Sequence, residues 1–190
     1  MTTLQNLTPG TWTVDPSHSE VGFVARHLMV TKVRGSFQEF SAEVEIAEPF
    51  ESSSVRATVQ LGSVDTRSAD RDAHLRSADF FDVENNPEMT FVSTKVTADA
   101  LEGDLTIKGV TKPVVFDLDF GGVTPDPWGG TRAAFEATTE INRRDWNLTW
   151  NVAVDGGSML VSEKIKISLD IQLVQAVPAT AGAGEDAAQA

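Results

Sequence analysis

The stretch Lys164-Ile-Lys-Ile-Ser-Leu-Asp-Ile-Gln-Leu173 alternates apolar and polar residues without a break. Ile165, Ile167, Leu169, Ile171 and Leu173 take one parity, and Lys164, Lys166, Ser168, Asp170 and Gln172 take the other. Successive side chains of an extended chain point to opposite faces, so this is a β-strand with one apolar and one wet face. The same period of two recurs upstream. Val21, Phe23, Ala25 and His27 share a face against Glu20, Gly22, Val24, Arg26 and Leu28. It returns in Ala42/Val44/Ile46, Val55/Ala57/Val59/Leu61, Leu101/Gly103/Leu105/Ile107, Val114/Phe116/Leu118/Phe120 and Ala133/Phe135/Ala137. The fold class is therefore all-β, with antiparallel strands.

Several runs approach ten residues, a span of about 30 Å at ~3.3 Å per residue. Closing eight or nine such strands into a barrel removes the sheet edges and encloses the apolar faces. Two packed sheets satisfy the same alternation, so parity alone leaves a sandwich open. Turns are expected at Gly121-Gly122, Gly129-Gly130 and Asp155-Gly-Gly157, where positive φ is tolerated. The exception to period two is TRSADRDAHLRSADFFD, from Thr66 to Asp82. Its Ala69, Ala73 and Leu75, with Arg71 and Arg76, fit a short helix capped by Ser68. Such a helix would lie across a barrel end or on its outside, and Leu75, Phe80 and Phe81 would then plug or gate the opening.

The 190 residues suit one domain, and 41% hydrophobic with 23% charged residues is a globular balance. Residues 1–10 read as an N-terminal arm and 11–175 as the domain. Residues 176–190, rich in Ala, Gly and acidic residues, read as a disordered tail, because they cannot bury enough apolar area to offset ordering entropy. The formal charge of −13 argues against nucleic acid and against anionic membrane surfaces as partners, and it is also the ordinary signature of a soluble protein. There is no cysteine, which excludes disulfides, thiolate nucleophiles and Cys-based metal sites. The start lacks a basic segment followed by an apolar one, and no apolar run approaches the ~20 residues of a membrane helix, so the expected location is the cytoplasm.

Chemistry-bearing constellations are few. His18, His27 and His74 lie on separate elements without metal-ligand spacing, so no metal site is expected. His27 shares the parity of Val21 and Phe23 and would point inward, where a lone polar group orients a ligand. Asp70, Arg71, Asp72, Arg76 and Asp79 form one dense cluster and Arg143-Arg144-Asp145-Trp146 another. They read either as ion pairs pinning a cap to the barrel or as a mouth for a polar headgroup; a diphosphate would need at least two Arg or Lys donors. Trp12, Trp128, Trp146 and Trp150 serve packing or stack on a ligand. No glycine-flanked serine, phosphate-cradling loop or zinc-protease motif is present, and no catalytic residue stands out.

A set of longer segments resembles the YceI-like family of lipocalin-like, polyisoprenoid-binding proteins. The matching pieces are Trp12-x-Val-Asp15-x-x-His18-Ser19-x-Val21-x-Phe23, SVDTRSADRDAHLRSADFFDVENNPEMTF from Ser63, GDLTIKGVTKPV from Gly103, DPWGG from Asp126, INRRDW from Ile141, and the closing strand. They follow in family order. The resemblance implies an extended eight-stranded antiparallel barrel with a short helical cap, an elongated apolar pore, a bound polyprenyl chain or isoprenoid quinone, a homodimer, and no enzyme activity or other cofactor. Many members carry a signal peptide; this start does not show one, and the Ala-rich acidic tail lies outside the shared pattern.

Parity then names the expected ligand-lining residues: Val21, Phe23, His27, Phe37, Val44, Val59, Phe91, Leu105, Ile107, Phe116, Leu118, Phe135, Ile165, Ile167 and Leu169. Leu75, Phe80 and Phe81 of the cap and Trp146 join them. The expected function is non-catalytic binding, transport or storage of a long-chain isoprenoid lipid. Two rivals remain: an enzyme acting on a barrel-bound lipid with His27 as general acid/base, and a stress-related structural protein whose barrel is filled by side chains.

Overall fold

The computed structural model describes residue 4 and residues 6–127, 129–154 and 159–176 of the 190. Of the tail expected from 176 onward, all but Ala176, together with Trp128, the Asp155-Gly-Gly157 turn and part of the N-terminal arm, thus lie outside the described residues.

The strands are β1 (Gly10–Val14), β2 (Glu20–His27), β3 (Thr31–Phe37), β4 (Phe40–Ile46), β5 (Ser54–Gln60), β6 (Val64–Asp65), β7 (Glu88–Val96), β8 (Ala100–Ile107), β9 (Val110–Pro125), β10 (Thr131–Asn142) and β11 (Lys164–Gln175). One helix, α1 (Ala69–Arg76), stands between β6 and β7. Three long strand paths are each broken by a kink. β1 and β2 flank a 3-10 turn and both pair with β11, at Leu173–Gln175 and at Lys166–Asp170. Likewise β4 pairs with β1 and β5, while β3 pairs with β2 and β6. Counted as paths, the chain makes an eight-stranded antiparallel barrel, closed where β11 meets β1. Closure settles the choice between barrel and sandwich.

Serine hydroxyls repair the ladder where a kink interrupts it. Ser19 Oγ accepts from the N–H of Gln172 at 2.9 Å, and Ser63 Oγ accepts from the N–H groups of Gln38 and Glu39 at 3.1 and 3.0 Å. Backbone groups that lost strand partners are thereby kept satisfied.

Gly121 and Gly122, expected to form a turn, instead lie inside the sixteen-residue β9. Opposite Ala134 and Phe135 the register slips by one residue, and Gly122 takes φ 119°. A bulge draws on the same backbone freedom as a turn, which is why the two look alike in sequence. The Gly129-Gly130 turn does form, with Asp126 N–H donating to the Gly130 carbonyl.

Helix α1 begins after Ser68 as expected, but the Ser68 side chain makes no capping bond. Buried Asp72 turns back and accepts from the Thr66 N–H and hydroxyl at 2.8 and 2.6 Å. Arg71 donates to Thr66 Oγ1 and to its carbonyl, and Arg76 donates to the carbonyls of Gly62 and Val64. Hydrogen bonds to backbone oxygens on and beside β6 therefore pin the cap, where the charge pattern had suggested ion pairs.

Candidate ligand cavity

The inward faces of the strands do not fill the barrel. Among the described residues they leave cavities of about 530 Å³ and about 190 Å³. The larger alone is the size of a drug-like ligand site. Val21, Met89, Ile107 and Ile167, from β2, β7, β8 and β11, line both, so the cavities adjoin at a waist made by these four side chains. Strand β11 runs past both: Ile165 and Ile167 face the larger, and Ile167, Leu169, Ile171 and Leu173 face the smaller.

The two cavities differ in chemistry. The wall of the smaller contains no ionisable side chain; Phe91 and Phe116 meet edge-to-face there, 5.7 Å between ring centres. The wall of the larger includes Arg71, Arg143, His27 and His74, with the exposed Arg26 only at its margin, and no carboxylate. In a chain of net charge −13 the arginines of this wall, set among no carboxylates, are the most informative feature of the interior.

Arg143 owes its place to local structure. Asn142 caps a 3-10 turn over Arg143–Trp146 by accepting from Arg144 N–H, and Asn147 ends it in the left-handed region at φ 59°. Arg143 and Trp146, three apart, turn inward, while Arg144 turns outward to Glu163 at 2.8 Å. Arg143 Nε donates to the Ser162 carbonyl at 2.9 Å and Nη1 to the Leu148 carbonyl. Its Nη2 is buried without a hydrogen-bond partner among the described residues. Burial lowers the guanidinium pKa from its ordinary value, with Glu163 opposing that shift, and arginine remains charged in proteins. Around it His74, Phe80 and Trp150 form an aromatic cluster, with ring centres 4.5 to 5.3 Å apart.

Of the residues expected from sequence, Val21, Phe23, His27, Phe37, Leu75, Phe80, Phe81, Ile107, Ile165 and Ile167 line the larger cavity. Val44, Val59, Phe91, Leu105, Phe116, Leu118, Phe135 and Leu169 line the smaller. Trp146 lies outside both walls: it is buried and donates from Nε1 to the Leu105 carbonyl at 3.0 Å. His27 lines the larger cavity from an exposed position, bridged to Val161. Met89 was missed although it shares the parity of Phe91. Leu148, Trp150, Leu160 and Val161 come from irregular chain, where no period announces an inward side chain.

A closed antiparallel barrel around an apolar, two-part interior defines a lipocalin-like class of protein. Within it, the chain belongs to the YceI-like domain family, whose pattern matches residues 12–173. A UPF0312 protein of Staphylococcus epidermidis is 37% identical over 155 residues, covering 80% of this chain and 90% of its own. One from Staphylococcus aureus is 36% identical over 157 residues, covering 82% and 92%. Among solved structures, a YCEI protein of Campylobacter jejuni superposes with a TM-score of 0.67 at 27% identity, covering 80% of this chain and 90% of that one. BcnA of Burkholderia cenocepacia, at 24% identity and TM-score 0.68, covers 84% and 98%. A polyisoprenoid binding domain from Saccharophagus degradans, at 12% identity and TM-score 0.64, covers 87% and 98%; these last two share the fold.

Proposed function

We propose that this protein is a non-catalytic carrier of a long-chain isoprenoid lipid. The apolar tail threads the waist into the smaller cavity, and the head stays among the arginines of the larger. The observation that carries the reading is the division of the walls: cations without carboxylates in one cavity, no ionisable group in the other. Burying one five-carbon isoprene unit gains on the order of 3–4 kcal/mol at ~0.8 kcal/mol per carbon, before ordering costs. A cationic wall favours a head that carries negative charge or strong acceptors, so a diphosphate fits better than an alcohol. The similar fold of the polyisoprenoid binding domain from Saccharophagus degradans agrees with this choice of tail.

The test is native mass spectrometry of protein purified from its own host without detergent, followed by solvent extraction. The expected result is a mass adduct that extracts as an amphiphile with a polyprenyl tail. Apo mass alone, with no extractable lipid, overturns the proposal.

A further inference from the structure

The β2–β3 hairpin ends in Leu28-Met-Val30, whose side chains stand in solvent, Met29 at 56% and Val30 at 79% exposure. Leu28 N–H donates to the Leu160 carbonyl and Leu160 N–H to that of Val152, while Met159 faces Ala153 across an isolated bridge. The hairpin tip, Val152 and Met159 thus form one edge. Five of the seven large apolar side chains exposed among the described residues are gathered there. Leu28 and Met29 also hold φ at 52° and 60°, a region where Asn or Gly is the ordinary choice. Neither exposure nor backbone conformation favours these residues for stability, so their use lies elsewhere.

The charge beside this edge runs against the rest of the chain. From Val21 to Gln38 there is no Asp or Glu, while Arg26, Lys32 and Arg34 are present. Arg26 stands directly across from Lys32, a like-charge pair that costs stability, and Arg34 and Lys166 flank Val24 on either side. All four are exposed, and no ion pair engages them among the described residues. The nearby acids Glu140 and Glu163 are already paired, with Lys164 and Arg144. At a Debye length of about 8 Å, the local basic face and not the net charge governs what approaches this end.

The edge also borders the cavity. His27, Thr31, Leu160 and Val161 line the larger cavity and lie on or next to the same hairpin and segment, and His27 and Thr31 are exposed to solvent there.

We infer that this end docks on an anionic lipid bilayer. Leu28, Met29 and Val30 insert among the acyl chains, Arg26, Lys32, Arg34 and Lys166 meet the lipid phosphates, and the cavity mouth faces the membrane. Apolar side chains ringed by basic ones are the combination that holds a protein to such a surface. The inference departs from the expectation, drawn from net charge alone, that anionic membranes are excluded, because it weighs the local basic face instead. The carrier reading supplies the purpose of the docking, but the docking is measured without it.

The experiment is sedimentation of the full chain with vesicles of phosphatidylcholine containing phosphatidylglycerol, and with phosphatidylcholine alone. Binding is expected only with the anionic lipid and should fall as salt is raised. Lys32→Ala and Arg34→Ala should each weaken it roughly fivefold, and Val30→Asp should abolish it. All three sites point away from the cavity, so their lipid content by extraction should match wild type. No sedimentation, or sedimentation unchanged by these variants, overturns the inference. So does a dimer that Val30→Asp dissociates in the absence of vesicle binding, because the edge then belongs to a second copy. A wild-type protein that sediments yet yields no extractable lipid overturns the carrier reading alone.

Discussion

The guanidinium carbon of Arg143 stands 5.9 Å from the centre of the Phe80 ring, a cation beside an aromatic face on the cavity wall. Its two other nitrogens are committed to backbone carbonyls, so the charge is fixed in place and only Nη2 is left for a ligand. A buried donor without a partner is costly, and an acceptor on the bound head relieves that cost. Arg143→Leu is expected to lower the preference for a polyprenyl diphosphate over the matching alcohol roughly tenfold or more, since a charge-assisted hydrogen bond is worth ~1.5–3 kcal/mol. Competition between the two lipids reads this ratio, which a general loss of stability would leave unchanged. An unaltered ratio would remove Arg143 from head recognition.

Tail length follows from the waist. Met89 is the unbranched, adaptable member of the four residues shared by both cavities. Met89→Trp places a rigid ring across the passage while the head region keeps its arginines. The longest polyprenyl chain retained should shorten, and total binding of short chains should persist. Mass spectrometry of a mixed-length extract checks this; an unchanged length distribution would mean that the tail does not cross the waist.

Much of this arrangement is legible in the sequence, for a reason that also sets the limit. Ile165 to Leu173 alternate because each inward position of β11 touches an apolar cavity, so parity finds the walls directly. Parity cannot report volume, and a filled barrel alternates just as well. Nor does it reach irregular chain: Trp150 and Leu160 enter the wall from segments with no period. Arg143 and Trp146 were visible as a cluster, but which would line the cavity depends on the 3-10 turn that aims both inward and on the Leu105 carbonyl that claims the indole. The Gly121-Gly122 bulge was misread because glycine marks unusual φ without saying what the chain does with it.

Glycine at position 103 has a different role, close approach. A Cβ there would lie 2.3 Å from Phe91 Cζ and 2.6 Å from the Val92 carbonyl oxygen. Moving the ring alone does not relieve the second contact. Gly103→Ala should therefore destabilise by about 1–3 kcal/mol, as overpacking commonly does. Gly62→Ala is the control: its nearest neighbour would be Val83 Cγ1 at 3.6 Å, ordinary contact, and its effect should be near zero or slightly stabilising. Urea unfolding of both variants decides; equal stabilities would contradict the packing described for Phe91.

Acid sensitivity is set in part at the kink between β1 and β2. Asp15 accepts from the Ser17 hydroxyl and N–H at 2.6 and 3.0 Å, from Arg132 Nη1 at 2.6 Å and from His18 Nδ1 at 2.9 Å. Arg132 in turn donates to Asp126 at 2.6 Å, tying the kink to the β9–β10 turn. The Ser17 bonds first, then Arg132 and His18, favour the ionised carboxylate and hold Asp15 well below the usual carboxylate range. In the unfolded chain the same group protonates near pH ~4. Because the folded value is the lower one, the latch contributes its full stability above about pH 4 and loses it as pH falls further toward the folded value. Asp15→Asn keeps the shape but not the charge. It should be less stable than wild type at neutral pH, and the gap should close on acidification, most steeply below about pH 4. Thermal unfolding of the pair across that range measures the gap directly; a gap independent of pH would assign the Asp15 contribution to packing and hydrogen-bond shape, and not to its ionisation.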